Sequence, residues 1–70
     1  MKDKLITYWE YCLNCVNMIS DTKIKRAFFD QAFGALMFAN CYLHAEDEKE
    51  TNELWENEYR DKFNKAVYGV

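Results

Sequence analysis

The chain runs through seventy residues without a proline, and glycine occurs only at Gly34 and Gly69. A β-rich domain needs turn residues every few positions. This chain has almost none, so it must be built from helices joined by a few short breaks. Seventy residues also make one domain, 1–70. A single core of that size rarely supplies more than about 3–5 kcal/mol, and chains this short often rely on a staple or an oligomer. Twelve aromatic residues are a large apolar load for such a chain. Either the core is unusually aromatic or a partner covers part of the load.

The apolar periodicity predicts three helices. The first spans about 4–19, with Asp3 as N-cap. Leu5, Trp9, Cys12, Val16 and Ile19 repeat at helical spacing, and Tyr8, Tyr11, Cys15 and Met18 form a second stripe beside them. A helix that apolar is contacted on more than one side. Ser20, Asp21 and Thr22 are the plainest break, because Ser and Asp oxygens accept orphan backbone N–H groups.

The second helix spans about 22–45. Its middle, from Ala32 to Ala39, is continuously apolar, so it is expected to be central and buried, with Gly34 marking a tight crossing. Between Glu46 and Glu53 the stripe stops. Asp47 with Glu50, or Thr51, then caps a third helix over about 51–67 that carries Leu54, Trp55, Tyr59, Phe63, Ala66 and Val67. The expected fold is an all-α three-helix domain with helices 1 and 2 as an antiparallel hairpin. The alternative is one continuous rod through helices 2 and 3, since no proline or glycine separates them.

Charge and cysteine content narrow the function classes. A net charge of −3 argues against general nucleic-acid binding, which leaves a basic footprint. The bases Lys23, Lys25 and Arg26 at the start of helix 2 are the one alternative site for it, and three charges contribute little. An odd count of three cysteines does not suit a secreted disulfide scaffold. Lys2, Asp3 and Lys4 lead into an amphipathic segment with no continuous apolar run, so a cytoplasmic protein with reduced thiols is expected. The apolar stretch 27–43 holds Asp30, Gln31 and Asn40, which argues against a membrane span.

Cys12-x-x-Cys15 with Cys41-x-x-His44 has the composition of a zinc set, and Cys12-x-x-Cys15 alone has the spacing of a redox pair. Helix geometry opposes the first. In a hairpin turning at Ser20-Asp21, Cys12 faces roughly residue 29, and Cys41 lies about 18 Å further along. A mid-helix position without a strand opposes the second. The favoured reading is three small buried hydrophobes and no cofactor, with the metal or thiol module as alternative. His44 is the only histidine and Ser20 the only serine, and no strand pattern supplies a nucleophile elbow, so no triad arrangement is recognisable and no enzyme is expected. His44 is read as a cap at the end of helix 2.

The remaining constellation is the aromatic excess. Tyr8 and Tyr11 on the flank of helix 1, and Phe38 off the main lines of helix 2, are the first interface candidates, followed by Trp9 and Phe33. The expected function is therefore a small helical interaction protein, with a second copy of itself as the favoured partner in a homodimer. Positions 46–58 hold seven acids and one base, which suits steering toward a protein with a basic surface.

Overall fold

The computed structural model describes residues 1–44 and 46–69. Among the described residues there are three helices and no strand. The first, α1, is Lys2–Met18. The second, α2, is Thr22–Phe38 and continues through a wider π-helical turn, Ala39–Leu43. The third, α3, runs Glu48–Leu54, passes through a second π-helical turn at Trp55–Tyr59, and ends with Arg60–Tyr68.

The connection between α1 and α2 is the one the local chemistry dictates. Ile19 turns extended (φ −106°, ψ 141°) while its N–H bonds the Val16 carbonyl. Asp21 then caps α2, its carboxylate accepting the N–H of Lys23 at 2.8 Å and of Ile24 at 3.4 Å. The two helices run back along each other. Trp9 Nε1 donates to the Ala32 carbonyl at 3.0 Å, and Tyr8 Oη donates to Gln31 Oε1 at 3.3 Å.

The rod alternative fails at His44. Its backbone is left-handed (φ 48°, ψ 50°), which stops α2, and the chain restarts as α3 at Glu48. Histidine is among the few non-glycine residues enriched in that conformation. The expected end near 45 falls on Ala45, outside the described residues; the last helical residue is Leu43. Asp47 occupies the N-cap position of α3 without a side-chain cap bond there, while the other two expected caps, Asp3 and Thr51, do not cap. Asp3 lies inside the first turn of α1, behind the N-cap Met1. Thr51 is fully buried within α3, its hydroxyl 2.9 Å from the Glu48 carbonyl and 3.2 Å from that of Asp47.

The core is aromatic. Trp9, Trp55 and Phe63 are fully buried. The Trp9 ring lies 5.2 Å from Trp55 and 5.0 Å from Tyr59, and Phe29 stacks on Phe63 at 5.3 Å. Tilted and offset pairs at these distances are the favoured geometries for rings with a negative face and a positive edge. The buried positions of α3 (Thr51, Trp55, Tyr59, Phe63 and Val67) are four apart. In a regular α-helix each such step drifts by roughly 40°. The π turn at Trp55–Tyr59 has more residues per turn, and so keeps this four-residue repeat facing the core.

One expectation about α2 is reversed. It is not buried around its circumference, because a three-helix bundle gives it only two neighbours. Ala32, Leu36 and Ala39 face the core, while Phe33, Gly34, Met37 and Phe38 are exposed. Gly34 marks no crossing within the chain: a Cβ built there would meet nothing within 4 Å. No helix among the described residues is long and apolar enough to cross a membrane.

Candidate interaction face

A groove of about 470 Å³ runs along the outer seam of α1 and α2. Its floor includes Leu5, Gly34, Ala35 and Ala39, and Tyr8 and Phe38 stand along it. The small residues of α2 produce the depression, since side chains that stop at Cβ or lack one leave the helix surface low. Tyr8 stacks with Tyr11 on the α1 side, ring centres 6.4 Å apart. Phe38 stacks with Tyr42 on the α2 side at 5.3 Å. Tyr11 is 59% exposed, Phe38 55% and Tyr42 73%, which are high values for aromatic side chains with apolar neighbours.

Helical spacing extends this face. Tyr11, Cys15 and Met18 follow Tyr8 along α1, and Ile24, Gln31 and Phe38 lie seven apart on α2. Lys4 and the amino group of Met1 are the charged groups of the residues lining the groove. Hydrogen bonding raises the pKa of the Tyr11 phenol, the nearby Cys15 thiol being the main cause. Burial, followed by the Cys12 thiol, does the same for Tyr8. Both phenols therefore remain neutral at physiological pH, and the face carries no anionic oxygen from them.

The structure thus gathers three of the sequence candidates, Tyr8, Tyr11 and Phe38, around one groove. It does not add Trp9, which is fully buried against Trp55 and Tyr59 and bonded to Ala32; its place on the main stripe of α1 outweighs the general preference of Trp for interfaces. Phe33 also lies elsewhere. It packs 5.8 Å from Trp55 in a separate depression between α2 and α3 that Asp30, Glu56 and Arg60 border. Tyr42 and Gly34 belong to the face and were not singled out for it. Their signal was present, because Tyr42 follows Phe38 by one helical turn and Gly34 precedes it by one.

The cysteine–histidine set is not assembled. Cys12 is buried and Cys15 half-buried in the middle of α1, whereas Cys41 and His44 are exposed at the far end of α2. Among the described residues no three His, Cys, Asp or Glu side chains gather as a metal site. Cys41 also departs from the reading of three buried hydrophobes, since the π turn at Ala39–Leu43 leaves it facing outward. Burial raises the pKa of the Cys12 thiol, the opposite of what a reactive Cys-x-x-Cys pair requires.

The acids of 46–58 are partly engaged within the chain. Glu50 pairs with Lys2 at 3.0 Å, Glu56 with Arg60 and Glu58 with Lys62, each at 2.9 Å, and Asp47 binds the start of α1. Of the three bases near the start of α2, Lys25 reaches the Ala66 carbonyl at 3.4 Å near the end of α3, while Lys23 and Arg26 are exposed. Comparison of the chain with protein families, curated proteins and solved structures finds no match.

Proposed function

We propose that this chain is a small non-catalytic helical interaction protein that works through the outer α1/α2 face, by docking a helix there or by pairing with a second copy of itself. The observation that carries the reading is the groove itself: Tyr8, Tyr11, Phe38 and Tyr42 stand exposed around a floor of small residues. Isolated exposed apolar side chains are normal on any protein, but a contiguous patch marks an interaction site. Aromatic rings bordering a groove are also the usual anchors of binding energy. The non-catalytic part of the reading rests on composition, with one histidine and one serine in the chain. A cytoplasmic setting is supported by the odd count of cysteines. A protein with a basic surface is a secondary partner class, supported by Glu46, Glu48 and Glu53, which lie exposed along the start of α3.

A photo-reactive side chain placed at Tyr42 tests the face. The reading predicts a discrete cross-linked species, identified by mass spectrometry as this chain or one defined protein, competed by excess unlabelled chain and lost with Phe38→Asp. Equal labelling from a probe at Asp61, on the outer surface of α3, would contradict it.

A further inference from the structure

We infer that the occupant of the groove is a second copy of this chain, seated about a two-fold axis near Gly34, so that Phe38 of each copy covers the partner subunit's Gly34. This rests on the reading of the α1/α2 face as an interface, and it commits that reading to one partner and one arrangement.

Three observations converge on it. The first is shape. The face carries a ridge, Phe38 with Tyr42, directly beside a depression floored by Gly34 and Ala35. A two-fold interface is self-complementary: a residue that contacts another across the axis is contacted by it in return. A ridge and a groove side by side on one surface meet that requirement, because each copy's ridge enters the other's groove. Open space at Gly34 gives the ring a place to sit; nothing in the chain comes within 4 Å of where its Cβ would be.

The second is area. The exposed fractions of Tyr8, Tyr11, Met18, Ile24, Phe38 and Tyr42, at about 200 Å² for a whole side chain, leave open roughly 700 Å². One partner in a standard-size interface contributes about 800 Å². The face is thus the size a stable pairing needs, and it is a large share of so small a molecule.

The third is charge. The whole chain carries −3, so two copies repel at long range. A two-fold axis places each charge near its own image, which makes a charged face self-defeating. No acid lines the groove of this face, whose charges are Lys4 and the amino group of Met1, while eight of the twelve acids lie on α3 and the turn before it. A partner recognised through its basic surface would instead dock on the acids.

The test is the molar mass of the purified chain, by light scattering across a dilution series, for the wild type and Gly34→Leu. The wild type should weigh twice 8.4 kDa at high micromolar concentration and dissociate on dilution. Gly34→Leu fills the seat of Phe38 and should raise the dimer dissociation constant by roughly 30-fold or more, the size of a hot-spot loss. It should do so with helical circular dichroism intact, because the added Cβ meets nothing within 4 Å outside its own stretch of helix. A wild-type mass of 8.4 kDa at every concentration overturns the inference, as does a dimer that Gly34→Leu leaves unchanged. A monomer whose Tyr42 probe still cross-links to one different protein overturns the self-pairing and leaves the interface reading standing.

Discussion

Asp47 caps a helix to which it does not belong. Its Oδ2 accepts the backbone N–H of Lys2 at 2.8 Å, and the amino group of Met1 lies 3.5 Å away. The first N–H groups of α1 have no intrahelical acceptor, and a carboxylate at that end also meets the positive pole of the helix dipole. One side chain at the start of α3 thereby anchors the start of α1, forty-five residues earlier in the chain.

The pH dependence follows from that contact. The Lys2 N–H, with help from the nearby amino group, holds the Asp47 carboxyl below its ordinary value. A depressed folded-state pKa stabilises the fold above the unfolded value and loses that contribution as pH falls through the folded one. Thermal stability should therefore decline as pH drops below about 4. Asp47→Asn should lower the melting temperature by a few degrees at neutral pH and flatten that part of the acid limb. Identical acid limbs for the two proteins would show that the contact is energetically silent.

Trp9 should be the residue the fold can least spare. It is fully buried, touches the rings of Trp55 and Tyr59, and bonds the Ala32 carbonyl. Trp9→Ala should cost about 3–5 kcal/mol. That is comparable with the whole stability of a core this size. Urea denaturation should show no cooperative transition for this variant, whereas Trp9→Phe should keep one with a lower midpoint.

Tyr59 offers a spectroscopic check. Its hydroxyl donates to Glu10 Oε1 at 2.6 Å; burial, and then the Glu10 carboxylate, push its ionisation well above the ordinary tyrosine range. A raised folded-state pKa means its contribution is complete below about pH 10 and is lost as pH rises further. Ultraviolet titration should show one phenol ionising only with alkaline unfolding, and Tyr59→Phe should remove that step. The same variant should cost about 1 kcal/mol at neutral pH.

Gly34 should separate folding from association. Glycine inside a helix is less favourable than alanine by roughly 0.5–1 kcal/mol. With open space around it, Gly34→Ala in a Phe38→Asp background should raise the melting temperature. A fall would mean that the position is strained or crowded in the single copy.

The parts of the fold that rest on local chemistry were readable in the sequence, and the parts that rest on distant contacts were not. Asp21 is legible as a cap because the N–H donors it accepts from are two and three residues away. Asp47 pointed to α3 by position, yet its partner lies on α1. The end of α2 near His44 was legible, but not the left-handed backbone there, which sequence patterns assign to glycine. The π turn in α3 left a trace, the four-residue step from Thr51 to Val67, which mimics a helical stripe closely enough to pass as one. For the face, Tyr8, Tyr11 and Phe38 stood out because they fall off the main stripes. Residue type alone points Trp9 to an interface although its place on the stripe puts it in the core, and Gly34 suggests a crossing that the single chain does not make.

The central claim is that two copies of this chain pair through the α1/α2 face. Sedimentation equilibrium of the wild type and Phe38→Asp, at matched concentrations with helicity checked, tests it most directly. The account predicts a concentration-dependent mass above 8.4 kDa for the wild type and a monomer for the variant. Equal masses for the two proteins at every concentration would contradict it.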